Sequence, residues 1–89
     1  MNQREVVFYT RGRSYRSWRA KRLLSRGGYQ FEVLDTTTHP EVRAELTEAT
    51  HHEVALPYVF IDHRPVGGFR VIKALSRSGD LAHLLRGEI

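Results

Sequence analysis

Apolar and polar positions follow two rhythms along this chain, and the switches between them mark its elements. Glu5 to Thr10 (EVVFYT) is a short run of β-branched and aromatic residues with the make-up of a buried strand. Arg11-Gly12-Arg13 breaks the run, and Ser14 then suits a helix N-cap because its hydroxyl can accept a free backbone N–H of the first turn. From Tyr15 to Arg26 the apolar residues Trp18, Ala20, Leu23 and Leu24 fit one helical face, and Gly27-Gly28 ends the helix. Tyr29 to Asp35 alternates Tyr29, Phe31 and Val33 with Gln30 and Glu32, which is strand spacing. Thr38 with Glu41 fits a capping box and Pro40 suits a first turn, so a second helix begins there with Val42, Leu46 and Ala49 inward. Tyr58 to Ile61 and Pro65 to Gly67 read as strands joined by a turn through Asp62-His63-Arg64, with Pro65 placing the second at a sheet edge. Val71, Ile72 and Leu75 recur at helical spacing, and Leu81, Leu84 and Leu85 do so again in a short terminal helix.

The order is therefore β-α-β-α-β-β-α with a terminal helical turn. A strand–helix–strand unit of this length implies parallel strands with a right-handed crossover, and the later strands imply a hairpin. The expected architecture is an α/β domain with a four-stranded mixed sheet and helices on both faces. There is no repeat, linker or low-complexity stretch, so residues 1–89 read as one domain.

Charge adds a polarity to this picture. The formal net charge is +4, and seven of the fourteen basic residues stand between Arg11 and Arg26 with no acid among them. From Asp35 to Glu53 the balance reverses, with Glu41, Glu45 and Glu48 facing only Arg43. An acidic partner follows as an expectation. Nucleic acid is the less favoured class, because Tyr15 and Trp18 suggest no stacking platform and Trp18 is assigned to the core. The longest apolar run is the four residues Val6 to Tyr9, which cannot cross a bilayer, so a soluble cytoplasmic domain is expected.

Candidate chemistry is narrowed by what is missing. With no cysteine there is no disulfide, no thiol nucleophile and no cysteine-ligated metal. His51-His52 are adjacent, with no third ligand at a metal-binding spacing, and His39, His63 and His83 read as surface residues, so no metal site is expected.

Several of these segments, taken in order, resemble the glutaredoxin family. Val7-Phe8-Tyr9-Thr10, a three-residue loop, Ser14-Tyr15-Arg16-Ser17 and Ala20-Lys21-x-Leu23-Leu24 are similar to the family's first strand, its Cys-x-x-Cys motif and the following helix. Gly28-Tyr29-x-Phe31-x-x-x-Asp35 resembles the second strand, and Ala55-Leu56-Pro57 stands where the family has Thr-Val-Pro. Val66-Gly67-Gly68 and Ala74-Leu75-x-x-x-Gly79-x-Leu81 complete a likeness running from Val6 to Leu85.

The resemblance implies the thioredoxin fold, a monomer, and a scaffold for disulfide reduction in cell redox homeostasis. It puts Ser14 and Ser17 at the positions of both catalytic cysteines, with Pro57 as a cis-proline beside them. Serine cannot form a disulfide, so the chain as written is expected to be redox-inactive, either as a Cys-to-Ser variant of an active redoxin or as a natural pseudo-redoxin that binds without turnover. No cofactor is required, and glutathione is the implied ligand or reductant. The family's pattern implies that Arg11 holds a glutathione carboxylate, that Leu56 lends backbone groups, and that Gly68, Phe69 and Arg70 receive the γ-glutamyl end. Arg16 and Arg19 flank the serine motif where an acidic or disulfide-containing protein partner would approach, and Tyr15 stands between the serines in place of the family's usual proline. Arg70 stands where the family usually has an aspartate. Gly68-Phe69-Arg70 is similar instead to glutaredoxin-like redoxins that serve ribonucleotide reductase, which implies thioredoxin reductase as the electron source.

Overall fold

The computed structural model describes residues 3–87. Its elements are β1 (Val6–Thr10), α1 (Tyr15–Arg26), β2 (Glu32–Asp35), α2 (Pro40–Thr50), β3 (Tyr58–Ile61), β4 (Arg64–Gly68), α3 (Phe69–Ser78) and α4 (Asp80–Leu85). The sheet order is β2-β1-β3-β4, with β1 parallel to β2 and antiparallel to β3, and β3 antiparallel to β4. This is the mixed sheet anticipated above.

Strand alternation divides the core between the two sheet faces. Val6 and Phe8 of β1 and Val59 and Ile61 of β3 join Ala20, Leu24, Ile72, Leu81 and Leu85 in one buried cluster, so α1, α3 and α4 cover that face. The opposite face carries Tyr9, Tyr58 and Phe60, whose rings meet edge to face at 5.3 and 5.7 Å. Val42 and Leu46 bury α2 against it. Burial first, then the nearby Glu45 and Glu32 carboxylates, push the Tyr9 phenol above its ordinary pKa.

The β3–β4 turn is two residues long, with Asp62 and His63 both at positive φ (50° and 64°), the backbone a tight hairpin needs. Asp62 accepts from the Glu5 N–H at 3.0 Å and lies 3.7 Å from the Arg4 guanidinium, which ties the turn to the start of β1. Pro65 lies on β4 at the sheet edge, where a missing N–H breaks no ladder.

Four local expectations need correction. Tyr29 to Phe31 is not strand: the Gln3 side-chain amide accepts from Gln30 N–H at 2.9 Å and donates to Gln30 O at 2.8 Å, and Tyr29 N–H bonds to Leu24 O. These bonds stand in for a strand partner, and β2 starts only at Glu32, an edge strand whose Val33 is 41% exposed. Thr38 does not cap α2. Its hydroxyl faces Asp35 O and His39 Nδ1, while His39 is the N-cap and Pro40 opens the helix. The inward stripe of α2 is Val42, Leu46 and Thr50, at i, i+4 and i+8, so Ala49 is exposed. Trp18 is not in the core. Ser17, Ala20 and Leu24 form the buried stripe of α1, and Trp18, about 100° round from Ser17, is 54% exposed.

Candidate functional site

The loop from β1 into α1 presents the serine pair. Ser14 has extended N-cap geometry (φ −140°, ψ 155°), and its Oγ accepts from the Ser17 N–H at 3.1 Å. Its hydroxyl donates to Ser17 Oγ at 2.9 Å. Ser17, 2% exposed, lies 2.7 Å from the Thr10 hydroxyl, which itself donates to Gly12 O at 3.1 Å. With Thr10's only proton spent on that carbonyl, Ser17 must donate to Thr10. The hydroxyls thus run Ser14 to Ser17 to Thr10 and end on a peptide carbonyl. Among the described residues no imidazole or carboxylate is hydrogen-bonded to either serine, so nothing here can take a proton from Ser14. Replacing Ser14 with Ala is expected to cost about 1 kcal/mol of stability, and with Gly only a few tenths, because a Gly backbone suits the cap. Urea unfolding of the two variants checks this; equal losses would place the effect elsewhere.

Asp35 holds the same loop from below. Its Oδ1 accepts from Thr37 Oγ1 at 2.6 Å, Thr37 N–H at 2.9 Å and Gly12 N–H at 3.1 Å. The Thr37 hydroxyl, then the Thr37 and Gly12 N–H groups, hold its carboxyl below the usual carboxylate range. A depressed folded pKa contributes stability that is complete above the unfolded value of about 3.9 and is lost as pH falls through the folded value. The Gly12 and Thr37 amide resonances should therefore shift together in acid below about pH 4, and Asp35→Asn should abolish that step. An unchanged acid step in the variant would refute the assignment.

A groove of about 420 Å³ opens beside this loop, between the Ala55–Pro57 turn and the start of α3. The Leu56–Pro57 peptide is cis. Gly68 lets α3 approach this turn: a Cβ there would stand 3.1 Å from Pro57 O. Arg16, Arg70 and Lys73 line the groove and no acid does. The N-cap Gly68 supplies no side-chain cap and the first turn of α3 has no acidic residue, so its leading N–H groups face the groove without a carboxylate of their own.

Of the residues singled out from sequence, the groove brings together Arg16, Leu56, Pro57, Gly68, Phe69 and Arg70. Arg11 is exposed on the loop and is not part of the lining, and neither is Tyr15. Tyr15 instead stacks on Trp18, with centroids 6.1 Å apart and planes at 28°. Sequence reasoning missed Thr10, Lys73 and the loop-holding role of Asp35. Lys73 was findable as the residue one turn beyond Phe69-Arg70; Thr10 and Asp35 gave no local signal.

His51 takes left-handed backbone (φ 65°) to end α2, and His52 Nδ1 lies 2.7 Å from Thr50 O. Among the described residues no group of three or more His, Asp or Glu side chains is placed to hold a metal ion. No helix among them is long and apolar enough to cross a membrane.

Comparison with known proteins places this geometry. A model of the glutaredoxin family matches residues 6–66. A glutaredoxin of Pseudomonas aeruginosa is 38% identical over 80 residues, covering 90% of this chain and 94% of that protein. The solution structure of a glutaredoxin from Brucella melitensis is similar with a TM-score of 0.81 and 36% identity, over 100% of this chain and 97% of that one. A buckwheat glutaredoxin–glutathione complex shares the fold with a TM-score of 0.81 at 22% identity, over 97% of this chain and 82% of that one.

Proposed function

Since this chain belongs to the glutaredoxin family, has its thioredoxin-like α/β fold and contains no cysteine, we propose that it is a redox-inert member that binds glutathione or a similar small peptide without turning it over. The observation that carries this reading is the groove of about 420 Å³ with three cations, an uncapped helix start and no acid. Glutathione brings two carboxylates and one ammonium. Its γ-glutamyl carboxylate meets the N–H groups of Phe69 and Arg70 at the positive end of α3, its cysteinyl backbone pairs with Leu56, and its glycyl carboxylate is drawn by Arg16 and Lys73. Ser14 stands near the cysteinyl sulfur's approach but offers only a hydroxyl whose proton is already directed at Ser17.

Arg70 is the awkward partner in this arrangement, since it meets the ligand's amino end with a like charge. N-acetylglutathione, which lacks the ammonium, should therefore bind better than glutathione itself by about fivefold, the ratio that roughly 1 kcal/mol of partly screened repulsion gives. Arg70→Asp should reverse that order. Calorimetric titration of both ligands into both proteins reads the crossing; no heat with either ligand at millimolar concentration would remove glutathione from the account.

A second reading rests on the serine geometry. Two side chains that meet at 2.9 Å at the head of α1 are arranged as a redox pair would be. The scaffold then belongs to a thiol–disulfide reductase whose chemistry is interrupted only at positions 14 and 17, with glutathione or a thioredoxin-reductase-type enzyme as its electron source.

A further inference from the structure

The outer face of α1 carries a surface that the groove does not explain. Tyr15 and Trp18 are 69% and 54% exposed, among the most exposed large apolar side chains of the described residues. The Arg22 guanidinium lies 5.3 Å from the Trp18 ring, and the Arg19 guanidinium lies 5.7 Å from Tyr15 and 5.5 Å from Phe69. The groups form one ladder: Phe69, Arg19, Tyr15, Trp18, Arg22. Arg26 extends it by another turn and shares a shallow depression with Tyr15, Trp18 and Leu23. Among the described residues none of Arg19, Arg22 and Arg26 is within ion-pair distance of a carboxylate.

Two consequences follow from this packing. A guanidinium laid on an aromatic ring loses rotational freedom while keeping N–H donors available; Arg19 directs one at the Tyr15 hydroxyl at 3.5 Å, and the remaining donors are held ready for an incoming anion. Like charges gathered without counter-charges repel one another, and a partner bearing carboxylates relieves that repulsion.

We infer that this face of α1 is a docking surface for an extended acidic peptide segment of a partner protein, with carboxylates on Arg19, Arg22 and Arg26 and an aliphatic side chain against the Tyr15–Trp18 pair. From Tyr15 to Arg26 the helix runs about 16 Å, the reach of roughly five extended residues. Charge complementarity selects an acidic ligand, and the rings select a peptide over single-stranded nucleic acid. Bases bind by stacking on open aromatic faces, whereas each of these rings already has the other ring and a guanidinium as stacking partners, and the surface it keeps exposed is left for an aliphatic side chain. A second copy is disfavoured although α2 exposes Glu41, Glu45 and Glu48, because two molecules of net charge +4 repel at long range. The surface meets the groove only at Phe69; Arg19, Arg22 and Arg26 are not part of the groove lining, and the inference stands whatever the groove binds.

Trp18 is the chain's only tryptophan, so its fluorescence reports the site directly. The probes are an end-blocked octapeptide alternating Glu and Leu, the same peptide with Gln for Glu, and an eight-residue oligothymidylate. The Glu peptide should give a saturable change that weakens about tenfold on raising salt from roughly 0.05 to 0.3 M. It should weaken by about tenfold again in the Arg19→Gln, Arg22→Gln double variant. Arg77→Gln, on the exposed face of α3, should leave the affinity unchanged and so separates a site from net charge. Tighter binding of the oligothymidylate, an equal response to the Gln peptide, a signal that follows protein concentration alone, or equal losses in the Arg77 variant would each overturn the inference.

Discussion

Restoring sulfur at two positions, Ser14→Cys with Ser17→Cys, is expected to raise disulfide reduction from background to roughly a hundredfold above it. Position 14 caps α1, so its side chain sits at the positive end of a helix dipole with no acidic residue in the first turn. Arg11, Arg13 and Arg16 lie within three residues of it in sequence, and all four surroundings favour a thiolate over a thiol. Position 17 is buried and meets position 14 directly, which suits a resolving thiol that stays protonated until it is needed. Serine gains the same field, but its hydroxyl starts far higher in pKa than a thiol, and the hydrogen-bonded chain beneath it ends on the Gly12 carbonyl rather than on a base. Turnover of a small disulfide by the double variant, with none by the parent chain, checks the point. A folded but inert double variant would mean that the groove has drifted from the family's chemistry, and would leave only the binding role.

The second large effect concerns stability, with Phe8→Ala expected to cost about 3–5 kcal/mol. Phe8 lies at the middle of β1, the strand between β2 and β3, and none of its surface is exposed. Its ring packs against Phe31 with centroids 6.0 Å apart, while the Lys21 ammonium sits 5.8 Å from its centroid. Truncation leaves a void that α1 and α3 cannot close without breaking their own contacts. Against a typical total of 5–15 kcal/mol, such a loss removes much of the margin. With a urea slope of about 1 kcal/mol/M for a domain of this size, the midpoint should fall by about 3 M or more. Circular dichroism in urea reads it, and Val33→Ala on the exposed edge should lose under about 1 kcal/mol in the same assay. Similar losses from both would contradict the division between core and edge.

What was legible in the sequence was whatever local chemistry decides. Ser14 caps α1 because a serine hydroxyl before a helical run satisfies an otherwise free N–H, and this reads from neighbours alone. The apolar runs of β1 and β3 and the glycine stops are of the same kind. Helical phase was less legible. Trp18, Leu23 and Leu24 do not share a face, and choosing Trp18 over Ser17 for the core followed hydrophobicity, whereas the hydroxyl of Ser17 is buried because Thr10 and Ser14 satisfy it. The missing half of the second strand depends on Gln3, 27 residues away from Gln30, and the hold of Asp35 on Gly12 spans 23 residues. Such long-range bonds leave no periodic trace. The same holds for the groove: its three cations come from α1 and α3, and only the fold shows that Lys73 joins Arg16 and Arg70. The stacked Tyr15–Trp18 pair was hidden for a further reason, since three-residue spacing suits both a core contact and a surface ladder.

On this reading the groove binds while the serines do nothing. A titration of the isotopically labelled chain with oxidised and reduced glutathione, followed by amide resonances and by the thiol state of the ligand, addresses both halves at once. The account predicts saturable shifts at Leu56, Gly68, Phe69 and Arg70, with both forms of glutathione recovered chemically unchanged. Silent amides at these positions, or any interconversion of the two forms by this cysteine-free chain, would contradict it.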